Sequence, residues 1–376
     1  MTQEQTLIQI VKKVLGEDRG TVPGDRPDWQ SIVDLAKKHG LLAFVYLYAG
    51  NIDVSEQPGQ EIMSALEKSY AAEVMVNVLQ QNAITEMRSA FEAAGIDNMF
   101  IKGAVTKGRY KSELLRSMGD IDFLYKPEQD ALLKKAMGEI GFRFGSNGRV
   151  HDSYRKGTYL NAEAHRQLIS PSSPYEAFGR NIWERSEPVS APGHCRRMTI
   201  EDEIIFNVIH FASHFKKGGA GVRFVIDVWV YSRYDADWDH IYSELKKLQL
   251  FDFYQNALSL AGRWFGGGER SDITDAMEEY VLTGGVFGSA RNRTDAVIAK
   301  GKLNYFRRSV FPPFKDMQSM YPWLKHKIAL PFAWAARGVK SLTCRRKNVK
   351  TLLAPVSAGD EQNALKLMEF YKECGL

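Results

Sequence analysis

Arg116-Ser117-Met118-Gly119-Asp120-Ile121-Asp122-Phe123-Leu124, with Phe100-Ile101-Lys102-Gly103 upstream of it, is the stretch that decides the fold. Asp120 and Asp122 stand two apart in an alternating run, which predicts a strand. Side chains two apart on a strand point to the same face, so both carboxylates converge while Ile121 and Phe123 face a core. Two like charges that close are costly unless a cation lies between them. A hard divalent ion with oxygen ligands, Mg²⁺ or Mn²⁺, is the expected occupant. Taken alone, Asp-x-Asp is common and equally describes a solvated strand face, so the surroundings carry the weight.

Upstream, the apolar run Asn98-Met99-Phe100-Ile101 reads as a strand entering a tight turn at Lys102-Gly103. The glycine lets backbone approach a ligand closely. A helix is predicted to open at Ala104 and run through Tyr110 to Leu115. Strand, glycine turn and helix start together predict a phosphate cradle, with Lys102 and Arg116 to neutralise phosphate charge. Downstream, Leu160, Ala162 and Ala164 alternate with Asn161, Glu163 and His165, so Glu163 and His165 share a strand face.

Lys-Gly, a helix with Tyr110, then Arg-x-x-x-Asp-Ile-Asp followed by Phe123-Leu124, resembles the uncharacterised bacterial nucleotidyltransferases of the DNA polymerase β-like superfamily. Asn161-Ala162-Glu163-Ala164-His165 is similar to that family's Glu-x-His strand. Val208 to His214 and Gly221 to Asp227 are similar to its helical half. The resemblance spans roughly residues 30 to 330. It departs from the superfamily at the first turn, where Lys102-Gly103-Ala104 stands in place of Gly-Ser or Gly-Gly.

The resemblance implies a metal-dependent nucleotidyltransferase that moves a nucleoside monophosphate from an NTP, taken as ATP, to a hydroxyl acceptor. That acceptor is a small molecule, a sugar phosphate or a protein side chain. Asp120, Asp122 and Glu163 would be the catalytic and metal-binding acids, with Mg²⁺ or Mn²⁺. Lys102, Gly103, Arg116, Tyr110 and His165 would contact the nucleotide and its phosphates. Against Tyr110 stands the ordinary reading of a core aromatic, and against His165 that of a satisfied structural histidine. His210 and His214, four apart on a helix, share one face and read mainly as packing, with Arg223 and Asp227 as polar partners.

The expected fold class is α+β: a small mixed β-sheet nucleotidyltransferase core flanked by N-terminal and C-terminal helical regions. The expected layout is a helical cap over 1–95, the core over 96–198, a helical domain over 199–300, and a basic, aromatic-rich tail with a terminal helix over 301–376. Ile62, Leu66, Tyr70, Val74, Met87 and Phe91 keep helical period without Pro or Gly until Gly95, which predicts one long helix delivering the chain to the first strand.

Composition is that of an ordinary soluble globular protein, with 376 residues, 44% hydrophobic and 25% charged. Three dispersed cysteines give neither a disulfide framework nor a zinc knuckle. The polar start Met1-Thr2-Gln3-Glu4-Gln5 does not read as a signal peptide, and the expected location is cytoplasmic. No apolar run is long enough for a spanning helix. P-loop and dinucleotide-binding glycine motifs are absent, and nothing specific points to nucleic acid. The net charge of +5 is uneven: residues 301–350 carry twelve Lys or Arg against Asp316 alone, leaving the rest at −6. Residues 320–350 therefore suggest peripheral contact with an anionic membrane, against the plainer reading of a basic helix packed on the domain. Two alternatives stay open: a catalytically inactive nucleotide-binding module of the same fold, or a peripheral membrane or polyanion-binding protein acting through 301–350.

Overall fold

The computed structural model describes residues 1–16, 27–148, 150–190, 193–285, 311–321, 323–344 and 358–376. Residues 301–310, Pro322 and 345–350 of the basic segment lie outside the described residues.

Three helices open the chain: α1 (Gln3–Leu15), α2 (Trp29–His39) and α3 (Leu42–Ala49). Thr2 and Gln5 form a capping box on α1, and Asp28 caps α2. Gly16 and Gly40 end these two helices in left-handed backbone, where a side chain would be strained. The predicted long helix is α4 (Gln60–Ala93), 34 residues without a breaker.

A mixed sheet follows. Its strands are β1 (Asn98–Phe100), β2 (Ile121–Tyr125), β3 (Arg143–Asn147), β4 (His151–Lys156), β5 (Leu160–His165), β6 (Glu187–Pro188) and β7 (Cys195–Arg197). They lie in the order β3-β4-β5-β2-β1-β7-β6. β2 runs parallel to β5 and antiparallel to β1. Between the strands lie α5 (Gly103–Thr106), α6 (Asp130–Glu139), α7 (Glu176–Arg180) and α8 (Ile182–Arg185).

The period-two pattern assigns the sheet's two faces. Ile121, Phe123, Tyr125, Ala162 and Ala164 pack with Met87 and Phe91 of α4 and Leu133 of α6. On the other face, Met99, Ile101 and Leu124 join a second core. That core also contains Leu7 and Phe44 from the first helices. It continues into α9 (Ile200–Phe215), α10 (Val222–Tyr231), α11 (Trp238–Lys247), α12 (Phe251–Ala261) and α13 (Asp272–Gly284). Thr199 caps α9 through the Asp202 amide. A terminal helix over Ala358–Glu373 docks onto this core, where the Tyr371 hydroxyl donates to the Phe215 carbonyl at 3.1 Å. The helices over Phe314–Met320 and Leu330–Cys344 enclose a small cluster of their own around Met317, Leu324 and Ala333. The chain is thus α+β, a mixed sheet flanked by helical regions.

Two predicted elements differ. The helix expected from Ala104 to Leu115 stops at Thr106 and gives way to single 3-10 turns at Lys107–Arg109 and Glu113–Leu115. Tyr110 between them is extended, which carries its hydroxyl to Asp227 at 2.5 Å, a pull from 117 residues away that overrides local helix preference. The short strands β6 and β7 were not predicted, because two or three residues carry no readable period.

Candidate active site

The site lies on the sheet face opposite α4 and α6, at the first residues of β2. Register alone brings Glu163 to it, since Asp122 on β2 pairs directly with Glu163 on β5, and Leu124 with His165. β4 adds a residue that the sequence reading missed, because His151 pairs with His165 across the β4–β5 ladder. Its signal was the strand alternation that His151 shares with Ser153 and Arg155, which names a face but not what that face meets. The buried ion pair of Arg166 with Asp152, at 2.7 Å, fixes this hairpin beside the site.

Asp122 is the hub. Its Oδ1 receives the Lys102 ammonium at 2.6 Å and lies 2.8 Å from His165 Nε2. Burial pushes its carboxyl up, but the Lys102 charge and the His165 hydrogen bond outweigh that and hold it well below the usual carboxylate range. With His165 Nε2 donating to Asp122, the ring's Nδ1 is the acceptor, and it is buried without a partner among the described residues. Glu163 Oε1 lies 3.2 Å from His151 Nε2, and Glu163 Oε2 lies 3.6 Å from His165 Nε2.

Asp120 stands one residue before β2 and is only half-buried. Burial raises its pKa, and the negative charges of Glu163 and Asp122 raise it further. Asp120 therefore lies within electrostatic reach of both other acids. The Lys102 ammonium offsets part of that rise. The donor chemistry near Glu163 suits a divalent cation, one carboxylate joined by two imidazole nitrogens. The donor atoms of His151, Glu163 and His165 lie within 4.8 Å of one another, and this group could hold a metal ion.

Lys102 comes to Asp122 through an unusual backbone. The Ile101 amide donates to the Asp122 carbonyl at 3.0 Å, and Lys102 then turns with φ +53° and ψ −131°. Gly103 follows under Met118, where an added Cβ would sit 2.9 Å from Met118 Cγ. The absence of a side chain there lets the segment 116–119 close over the turn.

Arg116 and Tyr110 have partners of their own. Arg116 Nε and Nη2 grip the two Asp227 oxygens at 2.7 and 2.8 Å, and the Tyr110 hydroxyl donates to the same carboxylate. All three are buried, and Asp227 wholly so. Asp227, on α10, therefore ties the loop that precedes Asp120 to the helical region. Gln80 of α4 holds the loop from the other side, its Nε2 donating to the Met118 and Gly119 carbonyls at 3.0 and 3.4 Å.

His210 and His214 stack edge to face, 4.5 Å between centroids, and both pack on Phe224. Burial pushes His214 down to about 4 and His210 well below its usual range. Both rings are therefore neutral near pH 7, and His210 lines a small cavity behind Lys102.

A family model described as an uncharacterised nucleotidyltransferase matches residues 25–266. The chain belongs to this uncharacterised nucleotidyltransferase family. The matched span contains Lys102, Asp120, Asp122, Glu163, His165 and Asp227, so the whole cluster lies within it. Neither the curated proteins nor the solved structures contain a match. Membership sets the reaction class as nucleotidyl transfer and implies a nucleoside triphosphate substrate. No helix among the described residues is long and apolar enough to cross a membrane.

Proposed function

We propose that this chain is a divalent-cation-dependent nucleotidyltransferase of the DNA polymerase β-like type, transferring NMP from an NTP to a hydroxyl acceptor. The observation that carries the reading is the in-register pairing of Asp122 with Glu163 beside Asp120, whose carboxyl is raised by burial and then by these two charges. Asp120, Asp122 and Glu163 would hold Mg²⁺ or Mn²⁺, with His151 and His165 beside Glu163. When bound, that ion would neutralise the triphosphate and acidify the acceptor hydroxyl.

The chain's own residues divide the remaining work. The acceptor oxygen bonds to the α-phosphorus of the NTP as the bond to the β-phosphate oxygen breaks, and pyrophosphate leaves with that electron pair. Glu163 takes the hydroxyl proton, because its Oε1 has the half-exposed His151 beside it to receive that proton in turn. His151, 3.2 Å away and more exposed, passes the proton on to solvent. Lys102 fixes Asp122 in its ionised form and adds positive charge against the departing pyrophosphate. We read Arg116 and Tyr110 as positioning residues that act through Asp227. ATP as the donor rests on the resemblance alone.

Calorimetric titration of each NTP with Mn²⁺, followed by a pyrophosphate-release assay over an acceptor panel, tests this reading. Asp120→Asn is expected to abolish cation-dependent NTP binding. Unchanged binding in that variant would sink it, whereas binding without release over a broad panel would favour an inactive nucleotide-binding module.

A second reading concerns the basic segment. Trp323, Ile328 and Phe332 are 53%, 89% and 74% exposed, and Lys325 and Lys327 are exposed among them. Apolar anchors interleaved with cations suit an anionic lipid surface. Phosphatidylserine vesicles are expected to sediment the full chain, and Ile328→Ser with Phe332→Ser to release it. Equal sedimentation of both proteins removes the idea.

A further inference from the structure

Glu73, Asn77 and Gln80 lie on one face of α4, at helical spacing. Facing them is the irregular segment from Lys107 to Met118, and between the two is a cavity of about 210 Å³. A single water needs only about 10–15 Å³ by this kind of measure, so the space suits a small organic molecule. Val76, Leu114 and Met118 supply apolar wall.

The charges around the cavity are spoken for, with one exception. The Lys107 ammonium donates to Asn77 Oδ1. Glu113 accepts from Gln81 Nε2 at 2.5 Å. Arg116 is held by Asp227. Glu73 has no hydrogen-bond or ion partner among the described residues. Burial alone pushes its carboxyl up to about 7, so no neighbouring cation compensates it. An acid kept half-buried without a counter-charge is destabilising, and one that lines a cleft is a candidate binding group.

The cavity's place in the fold says what that ligand is for. Gln80, on its wall, clasps the carbonyls of Met118 and Gly119, and Asp120 is the next residue. The same backbone is thus a wall of the cavity and the approach to the carboxylate cluster.

We propose that this cavity receives the acceptor and that the acceptor is an amino alcohol. Its protonated amine pairs with Glu73, and its hydroxyl end lies against the Ser117–Met118 wall of the loop that leads to Asp120. The amine is a spectator: the new bond joins the hydroxyl oxygen to phosphorus, as in the transfer reading on which this inference rests. Lys107 sets polarity, since its buried ammonium disfavours an amine at the inner end.

The test uses the full chain, with ethanolamine as the probe and ethylene glycol as its uncharged counterpart. Ligand-observed NMR measures binding of each to the native protein, to Glu73→Gln and to Glu113→Gln. Ethanolamine is expected to bind about tenfold more weakly to E73Q, corresponding to loss of one partly desolvated charge-assisted hydrogen bond. E113Q should bind it as the native protein does. E73Q removes an uncompensated charge without changing shape, and an unchanged or raised melting temperature confirms that it folds. Equal binding of both probes to the native protein, or equal ethanolamine binding to E73Q, overturns the proposal. Ethanolamine bound without pyrophosphate release, in the presence of Mn²⁺ and all four NTPs, overturns the acceptor role. Absence of Mn²⁺-dependent NTP binding would instead place the failure in the transfer reading.

Discussion

Lys102 Nζ stands 2.6 Å from Asp122 Oδ1, on a backbone whose φ of +53° favours glycine. The charge and the conformation oppose each other, since glycine would relax the turn and lose the ammonium. Two variants separate them. Lys102→Met and Lys102→Gly both remove the charge, but only the second relieves the backbone. Lys102→Gly is expected to be more stable than Lys102→Met by about 1 kcal/mol in urea unfolding. Equal stability would mean that the turn stores no strain. Both should lose transfer activity by about a hundredfold or more. On the proposed reading the ammonium would compete with a cation for Asp122, so Lys102→Met should also bind Mn²⁺ more tightly than the native protein. Weaker Mn²⁺ binding would show that Lys102 does not compete for that oxygen.

Asp227 is wholly buried and carries Arg116 on both oxygens. Asp227→Asn leaves the guanidinium buried without a counter-charge. The expected loss is about 3–5 kcal/mol by denaturant titration. Replacing both partners, as Arg116→Met with Asp227→Leu, should recover a large part of that, since an apolar pair does not leave a stranded charge. If the double variant is no better than the single one, the network does more than satisfy itself.

Gly103→Ala tests the turn without touching a charge. The new methyl would meet Met118 at Cγ and Cβ, at 2.9 and 3.3 Å, close to the backbone rather than at a flexible tip. Overpacking of this kind costs about 1–3 kcal/mol. The shift would pass along the 118–120 backbone, so a fall in transfer activity is expected. Adding Met118→Ala makes room and should restore most of the stability. Failure of that rescue would locate the strain elsewhere.

These relationships divide by their distance along the chain. Asp120 and Asp122, Glu163 with His165, and the long α4 were legible because each is a local period, and burial on one face is what a period records. Their meeting was not local. It depends on β2 lying parallel to β5, and the residues that pair are 41 positions apart. The resemblance supplied Glu163 as the third acid, and register then brought it opposite Asp122. His151 stayed hidden because nothing in its own strand says that it will face His165. The helix expected through Tyr110 and Leu115 broke because Asp227 draws Tyr110 outward. Lys102 was expected at phosphate, but its side chain lies on Asp122. A cradle read from sequence gives the turn and not the partner its side chain takes.

Glu73 offers the last prediction, through the pH dependence of stability. Burial raises its pKa from 4.5 to about 7. Between those values the folded state holds a proton that the unfolded state has released. Its contribution is therefore complete below pH 4.5 and is lost as pH rises through 7. His39 and His214 run the other way. Burial lowers each from 6.5 to about 4, so their contribution is complete above 6.5 and is lost as pH falls toward 4. The native protein should thus be squeezed from both sides, and Glu73→Gln removes only the alkaline half. At pH 8 that variant should be more stable than the native chain by about 1–2 kcal/mol, a figure discounted for the solvent that reaches the cavity. Near pH 4.5 the two should unfold at the same urea concentration. A difference that does not grow as pH rises would mean that the Glu73 carboxylate already has a counter-charge. The amine site argued from its isolation would fall with it.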